Sequence, residues 1–332
     1  MVDHLIPVVD ILKEKKGHWK EAHLILFEYC NLRCSFCHQD HDSKVGFDTI
    51  QEKTETLIAN TDPRQPYVVN MTGGELFLDE FSDEFFERYY QAGKRIFEHF
   101  DDCILVLGTN LVYDRVYRLV NLVERLNVHG RTQIATSYDP AGRFDRIGRA
   151  KFVHNLDKVK EYVRTVNVVI TKQNINAFLN NEEGREVTWM CDQFDVYFDH
   201  YIPSQMYEYI QPDEELIGKL YLVLNERYPN SYPIKDWKRN TFNETTCRST
   251  KIINKDGVVS TCWSEAGKNA ILDEGEGLKA KDDAEIRFVE KYDCFSCEYY
   301  SRCGMRCFLH HTFIDDGNPT CQIKEMFKAI GV

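Results

Sequence analysis

No stretch of this chain approaches the roughly 20 consecutive apolar residues that a membrane-spanning helix needs, so neither a helical membrane protein nor a membrane partner is expected. The first residues, MVDHLIPVVDILKEKKGHW, lack the basic, then apolar, then small-residue order of a secretory signal. A cytoplasmic chain is therefore expected. Positive charge is scarce: 41 Lys and Arg stand against 53 Asp and Glu, for a net charge of −12. Such an acidic chain is poorly suited to phosphate-driven binding, and no nucleic-acid partner is expected. No solenoid-type repeat is present either. What is plentiful is cysteine, with 12 residues. Disulfides are rare in the cytosol, so these cysteines point to metal or redox chemistry. Three of them fall within Cys30–Cys37 and seven within Cys247–Cys321, leaving only Cys103 and Cys191 isolated.

Residues 1–22 read as a polar, partly helical lead-in. From 23 to 228 short apolar runs alternate with helix-like stretches. Strands are predicted at His23–Phe27, Tyr67–Met71, Cys103–Leu107, Thr132–Thr136, Val166–Ile170 and Val196–Tyr201. Helices are predicted at 47–59, 82–100, 113–126, 155–163, 183–191 and 213–228. Six β–α units in succession predict an α/β fold with a parallel sheet covered by helices. The apolar character of the runs predicts strands buried on both faces. Periodicity does not separate an open sheet from a curved partial barrel; in both, chemistry gathers at the C-terminal ends of the strands. Residues 229–246 are polar and read as a linker. Residues 247–332 are rich in cysteine and thin in apolar strands or helices, so bound metal is expected to hold them together.

Directly after the first strand comes Cys30-Asn-Leu-Arg-Cys34-Ser-Phe-Cys37. Three thiolates can hold three irons of a four-iron cluster and leave the fourth open to an external ligand. A zinc site would instead want four ligands, and His38 would be needed as the fourth. The spacing C-x3-C-x2-C, with an aromatic before the last cysteine, resembles the radical S-adenosylmethionine (SAM) superfamily. The resemblance implies a partial (β/α)6 barrel over 23–228. It implies that Cys30, Cys34 and Cys37 bind a catalytic [4Fe–4S] cluster whose open iron chelates SAM. Reductive cleavage then gives a 5′-deoxyadenosyl radical that takes a hydrogen atom from substrate. Phe36 would lie beside the adenine. An external electron donor, such as flavodoxin or ferredoxin, is implied as a partner.

Further motifs follow in register. Thr72-Gly73-Gly74-Glu75 follows the second strand and is similar to the family's GGE turn, in which the glutamate contacts the SAM amino group; Leu76 stands where the family usually has proline. Paired glycines allow close backbone approach. Gly108-Thr109-Asn110 follows the third strand and resembles the family's threonine–asparagine turn, which implies Asn110 at the cofactor. Ser137-Tyr138-Asp139-Pro140 follows the fourth and is similar to the family's Ser-x-Asp-Gly segment, with Pro140 in place of glycine. An arginine just beyond is expected to fork onto the SAM carboxylate. Arg146 is the choice, with Arg143 and Arg149 as alternatives.

The C-terminal cysteines, with Gly257 five positions before Cys262 and the central spacing C-x2-C-x5-C-x3-C, resemble the SPASM domain, a module that carries auxiliary iron–sulfur clusters. The resemblance implies one [4Fe–4S] cluster on Cys247, Cys262 and Cys307, and another on Cys294, Cys297, Cys303 and Cys321. That makes three clusters in all, unless the region holds structural zinc on C-x2-C knuckles. Cys103 and Cys191 are expected to pack in the interior, or alternatively to hand a hydrogen atom to a substrate radical. Tyr201 is a further possible substrate contact.

The expected activity is modification of a ribosomally made peptide or protein by crosslink, thioether or oxidation. The 22 residues before the first strand are too few for a leader-binding module, so either a separate protein is expected to present the peptide or the substrate is recognised otherwise. The alternatives are a small-molecule dehydrogenase or epimerase acting on a sugar or aminoglycoside, and a non-enzymatic electron-transfer or zinc-scaffold protein.

Overall fold

The computed structural model describes residues 19–37, 39–180, 184–200, 210, 212–229, 234, 238, 251–260, 286–300 and 321–332. Expectations for 1–18, His38, Tyr201, most of the 229–246 linker, Cys247, Cys262, Cys303 and Cys307 lie outside the described residues.

Six β–α units build the frame. They are β1 (Lys20–Ile25), α1 (Ile50–Ala59), β2 (Tyr67–Thr72), α2 (Asp83–His99), β3 (Cys103–Thr109), α3 (Tyr117–Leu126), β4 (Arg131–Ser137), α4 (Arg146–Val159) and β5 (Val163–Ile170). After β5 come α5 (Lys172–Asn180), α6 (Gly184–Gln193), β6 (Val196–His200) and α7 (Glu214–Arg227). Later come a short hairpin, β7 (Lys251–Ile253) and β8 (Val259–Ser260), and α8 (Gln322–Ile330).

The sheet runs β6-β5-β4-β3-β2-β1-β7-β8, with every pair parallel except β7–β8. From β1 to β6 each crossover steps in the same direction. Right-handed crossovers of one direction place all their helices on one face. Over β1–β6 the strand order never reverses, which excludes a doubly wound arrangement of these six strands. The other face is concave, because His23, Asn70, Val106, Ala135 and Asn167 from five successive strands all line one cavity.

The strands differ from the expectation of burial on both faces. In β2, Tyr67, Val69 and Met71 are buried toward the helices while Val68, Asn70 and Thr72 are half-exposed. β4 and the end of β5 alternate in the same way. Only β3 is buried along most of its length. The apolar face meets Tyr89, Ala92 and Ile96 of α2 and Leu119, Leu122 and Leu126 of α3 in one continuous core. Each such large apolar side chain contributes about 1.5–3 kcal/mol when buried.

Two further differences have local causes. The fourth helix begins at Arg146, not near 155, because the Asp145 carboxylate caps it by accepting from the Gly148 N–H at 2.7 Å. An Asp before a helix satisfies one of its orphan donors. The C-terminal region also joins the frame: β7 pairs with β1 from Ala22↔Lys251 to Leu24↔Ile253, and α8 packs on α7. A three-residue strand is too short for periodicity to reveal.

Gly93 of α2 sits under Leu126 and Leu105, where an added Cβ would lie 2.7 Å and 3.0 Å from their methyl carbons. Gly93→Ala gains about 1 kcal/mol of helix propensity but overpacks by about 1–3 kcal/mol, so the net effect is destabilising. Leu126→Ala alone costs about 2–5 kcal/mol. The double variant is expected to be more stable than the sum of the two, since each change relieves the other. Urea denaturation of the four chains measures this, and costs that simply add would contradict the packing.

Candidate active site

The cysteine loop leaves β1 alongside the turn that leaves β2. Leu26 N donates to Thr72 O at 2.8 Å, Gly74 N to Phe27 O at 2.9 Å and Glu75 N to Tyr29 O at 2.9 Å. Parallel pairing thus continues past the strand ends. A Cβ on Gly74 would collide with the Glu28 and Tyr29 carbonyls, and one on Gly73 would lie 2.9 Å from the Phe27 carbonyl. The paired glycines therefore serve first to let two loops of this chain meet backbone to backbone. They also line the cavity.

The loop is closed by Cys30 N donating to His41 O at 3.0 Å, and its tip by Cys37 N donating to Cys34 O at 3.0 Å. Asn31 Nδ2 donates to Val112 O at 2.6 Å, and Asn110 Nδ2 reaches Asn31 Oδ1 at 2.8 Å and Cys30 Sγ at 3.7 Å. Ser35 N donates to Gly142 O at 2.8 Å. The three thiols are thereby fixed to the exits of β2, β3 and β4, at the C-terminal end of the sheet.

Cys30, Cys34 and Cys37 line a cavity of about 300 Å³ together with Phe36, Gly73, Gly74, Asn110, Ser137 and Arg143. On the sheet, His23, Asn70, Thr72, Val106 and Asn167 are among the other residues of its wall. Burial pushes the Cys30 thiol up to about 12 and raises Cys34 and Cys37, with the Arg143 charge opposing the shift at the latter two. A coordinating metal reverses that balance and holds the thiolate form.

Among the described residues no three His, Cys, Asp or Glu side chains converge on one metal ion. Three soft donors on one cavity have the chemistry of a cluster site in which each thiolate would take its own iron.

The other expected site residues divide into two groups. Glu75 and Asp139 are buried behind the wall and do not line the cavity. The Glu75 carboxylate accepts from Phe77 N at 2.9 Å, Asn110 N at 2.5 Å and Thr109 Oγ1 at 2.9 Å. It locks the β2 exit to the β3 exit. Asp139 accepts from Val169 N and Asn174 Nδ2, both at 2.8 Å, and from Arg143 Nε at 2.6 Å. That ion pair holds the Arg143 guanidinium over the Phe36 ring, 5.2 Å from its centroid.

The three candidate arginines are placed differently. Arg146 opens α4, is exposed and lies off the cavity wall, while Arg143 is on it. Arg149 is engaged with the Pro140 carbonyl at 2.8 Å. The Asp139–Arg143 spacing was legible as an i, i+4 pair but was not used. The polar wall residues His23, Asn70, Thr72 and Asn167 were also missed; their period-two alternation with buried apolar neighbours was the available signal.

A second group of thiols gathers near α8. Cys294 and Cys297 flank a tight turn in which Cys297 N donates to Cys294 O at 3.0 Å, and Asp293 before it is left-handed with φ 46°. Cys321 precedes α8, and all three cysteines line one cavity of about 170 Å³ walled by Phe288, Tyr292, Tyr299, Tyr300 and Phe327. These are three of the four cysteines expected to share a site. Cys103 and Cys191 line neither cavity, and burial raises both to about 12.

The architecture matches the radical SAM enzyme anSMEcpe, solved with bound AdoMet and a Cp18Cys peptide. The TM-score is 0.64 at 15% identity, covering 94% of this chain and 96% of that one. A second anSMEcpe structure with bound AdoMet gives 0.63 at 14% identity, with the same coverage. The chain has the radical SAM fold. Coproporphyrinogen III oxidase (HemN) from Escherichia coli, a radical SAM enzyme, is similar at TM-score 0.44 and 11% identity over 72% of this chain and 63% of that one. No family model matches the sequence, and no curated protein does. Within the radical SAM fold, the cavity lies where strand ends and their loops meet, as expected for a curved parallel sheet. Among the described residues no helix is long and apolar enough to cross a membrane.

Burial pushes the Glu75 carboxyl up to about 7, against four hydrogen bonds that favour its charge. A folded-state value above the unfolded one gives stability that is complete below about 4.5 and lost as pH rises through 7. In the ligand-free chain, the stability of wild type relative to Glu75→Gln is expected to fall by an amount on the order of 3 kcal/mol between pH 4.5 and 7. Chemical denaturation across that range reads it, and a difference that is flat or rises with pH would contradict the assignment.

Proposed function

We propose that this chain is a radical SAM enzyme that acts on a peptide or protein substrate. The observation that carries the first half is the gathering of Cys30, Cys34, Cys37, Asn110, Ser137 and Arg143 on one cavity at the C-terminal end of a radical SAM sheet. The three thiols suit a [4Fe–4S] cluster with one open iron. Such a cluster, when bound and reduced, supplies the electron that cleaves SAM to methionine and a 5′-deoxyadenosyl radical. Arg143, held by Asp139, supplies a fork for the SAM carboxylate. Ser137 offers a hydroxyl to the ribose, and Phe36 a face for the adenine. Asn110, donating toward the Cys30 sulfur, restrains that ligand from outside. Glu75 acts by bracing the two loops.

The peptide half is supported by likeness to anSMEcpe, whose structure holds a peptide. The polar inner wall of His23, Asn70, Thr72 and Asn167 suits a substrate rich in hydrogen-bonding groups. Cys294, Cys297 and Cys321, with the remaining C-terminal cysteines, are assigned to auxiliary clusters. With three clusters the reconstituted chain carries about twelve irons.

Cys34→Ala is expected to abolish formation of 5′-deoxyadenosine in anaerobic, dithionite-reduced enzyme given SAM. Formation at the wild-type rate would overturn the radical reading. Arg143→Met is expected to weaken SAM binding by about ten- to a hundredfold, the value of one or two hydrogen bonds to a charged group, while Arg146→Met changes it less than about twofold. Equilibrium dialysis with labelled SAM decides between them, and the reverse ranking would move the carboxylate site. Iron analysis of Cys294→Ala should show a loss of about four irons per chain; zinc in place of iron in the wild type would remove the auxiliary clusters from the account.

A further inference from the structure

Lys53 is a buried lysine in α1, 1% exposed, with no place in the chemistry described above. Its ammonium group donates to three backbone carbonyls: those of Leu26, of Gly46 at 3.1 Å and of Lys255 at 3.1 Å. An ammonium has three donors, and here all three are used on neutral acceptors. Burying a charge is costly unless it is hydrogen-bonded. An apolar side chain at this place would fill the same space without that cost, so the charge is retained for what it holds.

The three acceptors belong to three different segments. Leu26 directly follows β1, four residues before Cys30. Gly46 closes the far side of the cysteine loop. Lys255 sits in the turn of the β7–β8 hairpin, and β8 runs on in sequence toward Cys262. Gly46 has φ +100°, and a Cβ there would collide with the Leu26 carbonyl and come within 2.5 Å of the Lys53 nitrogen. Only glycine leaves room for the ammonium.

The hairpin turn presents its carbonyl from a rigid frame. Asn254 Oδ1 accepts from Asp256 N and Val258 N, both at 2.9 Å, and Gly257 takes φ +81°. The same Lys255 sends its own ammonium to Glu28 at 2.7 Å, and Glu28 also accepts from Asp40 N at 3.2 Å. The cysteine loop therefore has a neck of three rungs: Leu26 to Gly46 through Lys53, Glu28 to Asp40, and Cys30 to His41. The hairpin touches the first two.

We propose that Lys53 is a positioning residue that clasps the neck of the first cysteine loop to the β7–β8 hairpin, so that the geometry of Cys30, Cys34 and Cys37 depends on the C-terminal cysteine segment being docked. The clasp stands on the contacts themselves. Its consequence for a cluster rests on the radical SAM reading.

The test uses the full chain and Lys53→Met, which keeps the stem and removes the charge. Hydrogen exchange read by mass spectrometry is expected to rise at least tenfold in residues 26–46 and 252–258 together, with β3 and β4 unchanged. Exchange like wild type in either segment would overturn the clasp. Should Lys53→Met fail to fold, Gly46→Ala takes its place: it leaves the lysine and displaces its nitrogen, and the same paired rise is required. In reconstituted, reduced holoenzyme, the change in electron paramagnetic resonance line shape on adding SAM is expected to differ between wild type and variant. An identical change would sink the coupling to the cluster. A wild type that shows no SAM-dependent signal, with paired exchange intact, would count against the radical reading and leave the clasp standing.

Discussion

The site depends on one constraint: the loop after β1 and the turn after β2 must touch backbone to backbone. The parallel ladder of β1 and β2 does not stop at the strand ends but runs on through Leu26–Thr72, Phe27–Gly74 and Tyr29–Glu75. Each of those bonds contributes only about 0.5–1.5 kcal/mol net. Their importance is geometric, because they bring Cys30 beside Asn110 and set the direction in which the loop leaves the sheet. A side chain at Gly74 would occupy the space of two carbonyls. The glycines that resemble a ligand-binding turn are first a joint between two segments of the protein.

Around this joint the chain buries charge in a patterned way. Glu75 sits behind the β2 and β3 exits and is satisfied by backbone N–H groups and one hydroxyl. Asp139 sits behind the β4 and β5 exits and is satisfied by a backbone N–H, an amide and Arg143. Neither carboxylate faces the cavity. Removing one partner of a buried pair leaves an uncompensated charge, which costs several kcal/mol. Such residues hold loops to one arrangement, and the side chains that do reach the cavity, Asn110 and Arg143, are each positioned by one of them.

The parallel sheet, its six units and the cysteine loop at an active end were legible in the sequence, because strands of five to eight residues separated by amphipathic helices leave a clear period. What was not legible has physical reasons. The polar lining of β2 and β5 was read as part of an apolar run, since Val68 and Val169 interrupt the alternation on the cavity side. Arg146 was preferred to Arg143 because sequence distance does not show that residue 146 has already entered a helix and turned away; Asp145 as the cap decides that. The hairpin β7–β8 was invisible because two and three residues carry no periodicity. The motif that carries Glu75 does not show its burial or the four donors it meets within the protein.

The position of β1 joins these observations. It is flanked by β2 on one side and by β7 on the other, so the segment that presents the first three cysteines is paired with a strand from the C-terminal third of the chain. A parallel pair needs a long crossover, and here the connection from β1 to β7 contains the rest of the sheet. The β1 exit is also contacted from the β7–β8 hairpin, by Lys255 at Glu28 and at Lys53. The loop that bears Cys30, Cys34 and Cys37 is thus held on one side by the β2 exit and on the other by the β7–β8 hairpin, so its geometry is set by segments far apart in the chain.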